Sequence, residues 1–136
     1  MTPVYRWDHR ELNEGAKIPA GGFGQTLFRL GPYHGVWARE LTLEYVRATE
    51  FCHRPSRLAG LFAYASVDHA QVNLAAIRNL GRQHLYEVEP QGAVFLVAES
   101  APGPVENALA RQDHDAAQEA ARQYWHDADP AGLIEV

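Results

Sequence analysis

Glycine and proline constrain this chain more than any other feature. They gather at residues 19–24 (Pro-Ala-Gly-Gly-Phe-Gly), at Gly31-Pro32, at Pro55, at Pro90-Gln91-Gly92 and in Ala101-Pro-Gly-Pro104. Proline lacks an amide donor and biases the residue before it away from helix, and glycine opens the left-handed region, so each cluster marks the end of an element. The pieces left between them are short. None approaches 18 apolar residues, so no segment is expected to span a bilayer. A length of 136 residues fits one domain, residues 1–136, with one real core.

The pieces carry two different periods. Val4-Tyr-Arg-Trp7 predicts a strand, and the polar run 8–15 a loop or one helical turn. Trp37, Leu41, Tyr45 and Ala48 recur at helical spacing and predict a helix over 37–49, with Arg39, Glu40, Glu44 and Arg47 on its outer face. The apolar run 58–65 predicts a buried strand. Ser66 is placed to cap a second helix striped by Val67, Ala70, Leu74 and Ile77 and closed by Gly81. Residues 84–89 alternate as a strand does, and 93–98 form a further short apolar strand. A third helix is predicted over about 105–124, with Val105, Leu109, Ala116, Ala120 and Tyr124 on one face, and a terminal strand over 132–136. Strands and helices do not alternate regularly, which points to an α+β domain.

Charge and residue counts remove several function classes. The net charge is −5, from 17 acidic and 12 basic residues, against the basic balance of a nucleic-acid binder or of a protein drawn to anionic lipid. Cys52 is the single cysteine, so neither an internal disulfide nor a multi-cysteine zinc site is expected, and the thiol reads as a buried or half-buried group at a helix end. The seven histidines contain no His-x-x-x-His pair, and adjacent pairs such as Asp8/His9 diverge in direction, so no metal is expected. The N-terminal residues lack the apolar core of a signal sequence, so a soluble cytoplasmic protein is the default expectation. Gly21-Gly22-Phe23-Gly24 lacks the spacing of a dinucleotide fingerprint and reads as a turned surface loop or a ligand lid. Tyr5, Trp7, Phe23, Phe28, Tyr33, Trp37 and Tyr64 crowd the first half among Arg6, Arg29, Arg39, Arg54 and Arg57. Aromatic faces beside guanidinium groups suit a ligand with rings and phosphates.

One stretch adds a resemblance. Leu61-Phe-Ala-Tyr-Ala-Ser-Val-Asp-His-Ala70, followed by His84-Leu-Tyr-Glu-Val-Glu-Pro-Gln-Gly92, resembles the ADP-ribosyltransferase fold, and the small rifamycin ADP-ribosyltransferases in particular. Val4-Tyr5-Arg6-Trp7 resembles the first strand of that fold. Gly22-Phe23-Gly24, Trp37-x-x-Glu40, Phe51-x-x-Arg54-Pro55-Ser56-Arg57-Leu58 and Tyr124-Trp125 extend the likeness, over nearly the whole chain, to an uncharacterised bacterial family grouped with those enzymes.

The resemblance implies two small antiparallel sheets forming a cleft, with about three helices. It implies NAD as substrate, cleaved at the nicotinamide–ribose bond, with ADP-ribose passed to an unidentified acceptor, whether protein, small molecule or nucleic acid. Carried over by position, Arg6 matches the first motif, Tyr64 and Ser66 the second, and Glu135 the third, with Glu99 as the second choice. Arg6, Tyr64, Ser66 and Glu135 are the catalytic candidates. Tyr5, Trp7, His9, Phe23 and Arg57 are the candidates for holding the dinucleotide, and Asp8 for flanking the ribose. Such a chain could be a toxin, a small-molecule modifier or a phage-defence effector. The resemblance leaves open a non-catalytic module of the same fold that binds a nucleotide or a protein. It also leaves open an activity on nucleic acid, which would need a local basic patch around Arg10, Arg54 and Arg57.

Overall fold

The computed structural model describes residues 3–32, 35–72, 74, 81–91, 94–97, 101–126 and 133–135; at 95–97 and 133–135 the backbone alone is described. The elements in chain order are β1 (Val4–Asp8), α1 (Gly22–Leu30), α2 (Trp37–Glu50), β2 (Phe62–Tyr64), α3 (Val67–Val72), β3 (His84–Val88), β4 (Phe95–Val97), α4 (Gly103–Ala110), α5 (His114–His126) and β5 (Leu133–Glu135). The strands form an antiparallel sheet in the order β3-β1-β2-β5-β4. The α+β expectation is met. The described residues form one five-stranded sheet and five helices, where the resemblance implied two sheets and about three helices.

Both additional helices arise where breakers mislead. Gly21 adopts the left-handed conformation (φ 88°) at the start of α1, so the expected loop at 21–24 instead launches a helix. Gly24 lies against the backbone of Leu58: a Cβ there would sit 2.2 Å from the Leu58 carbonyl oxygen. This glycine lets the helix approach the chain closely. Further on, the single helix expected over 105–124 is two. Gln112 sits at φ 57°, and Asp113 Oδ1 accepts from the Ala116 amide at 3.0 Å, starting α5 afresh.

The main core lies between α2, α4 and α5. Leu43, Val46, Val105, Ala121, Tyr124 and Trp125 are buried together, with Phe51 and Leu109 packed against them. Complete burial of a side chain such as Leu43 contributes about 1.5–3 kcal/mol. The Trp125 indole is also fully buried and donates Nε1–H to the Leu43 carbonyl at 2.8 Å, so its one polar atom is satisfied.

The α2 helix spans the expected residues with its faces exchanged. Glu40, Leu43 and Val46 point inward, while Leu41, Tyr45 and Ala48 of the expected apolar stripe are exposed. The apolar period alone favoured the wrong face, because Glu40 is buried through an ion pair with a residue 17 positions later. Cys52, just past α2, is exposed, contrary to the buried or half-buried thiol expected there. No helix among the described residues is long and apolar enough to cross a membrane.

Candidate functional site

Two arginines meet one residue of the sheet. β1 pairs with β3 along its whole length, from Val4 opposite Val88 to Asp8 opposite His84. To β2 it is joined, among the described residues, at one bridge, Tyr5 opposite Tyr64. Near that bridge Arg6 donates from Nη1 to the Phe62 carbonyl at 2.8 Å. On the far side of β2, Phe62 stands in register with Glu135 of β5. Arg57 meets the same residue at its ring, with the guanidinium carbon 4.8 Å from the Phe62 ring centroid.

Arg6 is half-buried and incompletely satisfied. Its Nε is buried without a hydrogen-bond partner and lies 3.8 Å from Asp8 Oδ2. Burial lowers its pKa from the ordinary arginine value, against the raising influence of Asp8. Asp8 is itself buried and held by Arg10. The Arg10 backbone amide and Nε each donate to Asp8 Oδ1 at 2.9 Å, and Nη2 donates to Oδ2 at 2.7 Å. These bonds hold the Asp8 carboxyl far below the usual carboxylate range. Asp8, expected only to flank the ribose, is instead one half of an Asp8–Arg10 clamp. Asp-x-Arg at a strand end was its available signal.

The remaining expected residues fall into three groups. Tyr5 and Tyr64 are half-buried partners directly across the bridge and so share one face of the sheet, whereas alternation along β1 sends Arg6 to the other face. Trp7 is half-buried and gives its Nε1–H to the Ala70 carbonyl of α3 at 2.7 Å. The second group is taken up in internal structure. Ser66 Oγ accepts from the His69 amide at 3.2 Å and lies 2.9 Å from His69 Nδ1, which makes it the expected helix cap. Phe23 packs edge-on against Phe62, centroids 5.1 Å apart. Arg57 is 6% exposed; it donates to Glu40 at 2.8 and 3.1 Å and to the Tyr124 hydroxyl at 2.5 Å. These bonds set its guanidinium in the interior. Third, His9 is exposed, with Nδ1 3.7 Å from Asp8 Oδ1. Glu135 is placed by its backbone register, and Glu99 lies outside the described residues.

The structure therefore brings Arg6, Phe62 and Glu135 to three adjacent strands and draws Arg57 and the Ser66 hydroxyl into packing. A fixed guanidinium can hold phosphate or ribose oxygens. A carboxylate across the same strand can stabilise developing positive charge. Among the described residues no group of three or more His, Cys, Asp or Glu side chains is arranged to hold a metal ion.

Residues 25–135 match the family described as "Protein of unknown function (DUF2441)", and the chain belongs to that family. No curated protein matches the chain. The matched segment contains Arg57, Tyr64, Ser66 and Glu135 and begins after β1, so Arg6 lies outside it.

Proposed function

We propose that this member of the family is an NAD-dependent ADP-ribosyltransferase. It would cleave the nicotinamide–ribose bond and transfer ADP-ribose to an acceptor. The observation that carries the reading is the arrangement around Phe62. The half-buried Arg6 guanidinium is anchored on the Phe62 carbonyl, and Glu135 stands opposite the same residue on the next strand.

In this reading Arg6 holds the ribose or pyrophosphate oxygens of NAD through its guanidinium nitrogens. Tyr64 belongs to the face of the sheet opposite Arg6 and so drops out of the nicotinamide contact, and Ser66 acts by starting α3 after β2. The Glu135 carboxylate stabilises the positive charge that builds on the sugar as nicotinamide departs, an interaction stronger in the transition state than in the ground state. Arg57 drops out of the dinucleotide site, because its guanidinium is committed to Glu40 and Tyr124.

One observation favours a second reading, a non-catalytic nucleotide-binding module: the Ser66 hydroxyl is engaged by His69. One experiment separates the two. The protein is incubated with NAD, nicotinamide release is followed by mass spectrometry, and NAD binding is measured by calorimetry, for wild type, Glu135→Gln and Arg6→Ala. Release by wild type, lost in Glu135→Gln with binding retained, supports the transferase. Binding without release in any protein supports the module. Absence of both binding and release refutes the NAD reading.

A further inference from the structure

A helix at a protein surface normally turns charged side chains to water. The outer face of α2 does the reverse. Its exposed residues before the terminal Glu50 are Ala38, Leu41, Tyr45, Ala48 and Thr49, and none carries a charge. Leu41 is 41% exposed and Tyr45 59%. The Thr42 hydroxyl donates to the Ala38 carbonyl and the Thr49 hydroxyl to the Tyr45 carbonyl, each at 2.8 Å, so both donors turn back into the helix. The charged groups are engaged elsewhere: Arg39 and Arg57 with Glu40, and Arg47 and Ser56 with Glu44. Phe28 of α1 is exposed and extends the apolar face, its ring edge-on to Trp37 with centroids 5.5 Å apart.

The spacing on this face is that of a coiled-coil seam. Ala38, Leu41, Tyr45 and Ala48 follow one another at three, four and three positions, the a and d places of two heptads. Two heptads are too few to hold free helices together, but α2 is already fixed by the core through Leu43 and Val46. The seam runs small, large, large, small, and so matches itself when turned round. In an antiparallel pair each a place faces a d place. Ala38 then meets Ala48 at either end, which lets the helices approach closely, and Leu41 meets Tyr45 twice in the middle. Antiparallel pairing also sets the N-terminus of one helix dipole beside the C-terminus of the other. Beside the middle of the seam a groove of about 210 Å³, lined by Leu41, Tyr45, Leu109 and Ala117 among others, leaves room for an incoming aromatic ring.

The area fits a second copy. Phe28, Trp37, Leu41, Tyr45 and the two alanines leave roughly 400 Å² of apolar surface in water. A standard interface takes about 800 Å² from each side and is a little more than half apolar, so the patch supplies what one side needs.

We propose that α2 is the contact face of a homodimer, in which two copies pair antiparallel about a two-fold axis and Leu41 of each packs on Tyr45 of the other. The same patch serves both copies, as a two-fold interface requires. This face shares no residue with the NAD site.

Sedimentation velocity of the full chain over roughly 1–500 µM tests it, since an interface of this size and polarity should dissociate in the micromolar range. Wild type is expected to shift from monomer to dimer across that range. Leu41→Lys and Tyr45→Glu should each weaken the dimer at least about tenfold at an unchanged urea midpoint, because both positions are exposed. Val72→Glu, on the exposed side of α3, should leave the dimer intact. Mixing Leu41→Lys with Tyr45→Glu should restore association that neither shows alone, because the antiparallel register sets the introduced ammonium against the introduced carboxylate and keeps one Leu41–Tyr45 layer. A wild type that stays monomeric throughout overturns the proposal and leaves the face to a different protein. A dimer that survives both single variants, or a mixture that associates no better than its components, overturns it as well.

Discussion

Arg57→Met separates a structural arginine from a ligand-binding one. Its guanidinium donates to both carboxylate oxygens of Glu40 and to the Tyr124 hydroxyl, and it stacks over the Phe62 and Tyr124 rings. The Glu40 side chain has no exposed surface. Methionine would leave that carboxylate buried with one remaining cation, Arg39, which donates to Oε1 from Nε at 3.1 Å and from Nη2 at 2.9 Å. Removing one member of a buried pair costs about 3–5 kcal/mol, because the other charge stays behind without its partner. The Arg39 contact places the expectation at the lower end, about 3 kcal/mol, a large share of the ~5–15 kcal/mol that stabilises a domain. In urea this appears as a lowered midpoint at unchanged slope, and on heating as a fall in Tm of roughly 10 °C. The double variant Arg57→Met/Glu40→Leu removes both charges and should recover most of the loss, since replacing a buried pair by apolar groups is often close to neutral. A loss below about 1 kcal/mol in Arg57→Met, or a double variant as unstable as the sum of the singles, would refute the buried-pair reasoning. An Arg57→Met protein with unchanged stability and weakened NAD binding would return Arg57 to the ligand site.

Three further outcomes follow from local geometry. Gly24→Ala should destabilise the fold by about 1–3 kcal/mol in urea titration, because the new methyl meets the Leu58 carbonyl oxygen at 2.2 Å, and an unchanged midpoint would refute the close approach. The Asp8 carboxyl is held below its ordinary value chiefly by the side-chain hydrogen bonds of Arg10, so its folded form binds protons less readily than the unfolded chain. The stability it contributes is therefore full above an unfolded carboxylate pKa of about 3.9 and is lost as pH falls below that toward the depressed folded value. Asp8→Asn should flatten the acid limb of a stability-versus-pH curve, and an unchanged limb would refute the assignment. Ser66→Ala should cost about 0.5–2 kcal/mol by removing the cap of α3, and Ser66→Asp should restore it; failure of aspartate to rescue would show that the hydroxyl does more than cap.

The strands were legible because alternation and breakers report local geometry. Val4–Asp8 and His84–Val88 sit almost where the pattern put them. Ser66 was legible as a cap for the same reason, since capping needs only neighbouring residues. What was not legible depended on partners far along the chain. The inward face of α2 is set by Arg57 reaching Glu40, and an acidic residue in a helix otherwise signals solvent. The start of α1 at Gly22 is set by Gly24 fitting against Leu58, so a glycine run that looks like a loop becomes a packed helix. The aromatic and arginine residues of the first half were recognised as a group. Which arginines reach a site and which are buried in packing was a matter of distance in space. The resemblance implies that Arg57 and Arg6 act alike, yet one is enclosed by hydrogen bonds and the other keeps its Nε 3.8 Å from Asp8 without a hydrogen bond.

Phe62 explains how these two arginines belong to one design. Its ring is gripped by Arg57 at 4.8 Å and by Phe23 edge-on at 5.1 Å. Those contacts tie β2 to α1, and through Glu40 and Tyr124 to α2 and α5. Its carbonyl meanwhile receives Arg6 at 2.8 Å. The helical core thus fixes the strand on which the half-buried guanidinium rests. In the proposed transferase the charged group would have to be held within a fraction of an ångström, and β2 has only three residues with which to do it. The buried Arg57–Glu40 pair supplies the rigidity that so short a strand lacks. Disturbing that pair should therefore loosen Arg6 as well as the core, and the two effects part at Arg6→Ala, which removes the site guanidinium while leaving every contact of Arg57 with Glu40, Tyr124 and the Phe62 ring in place.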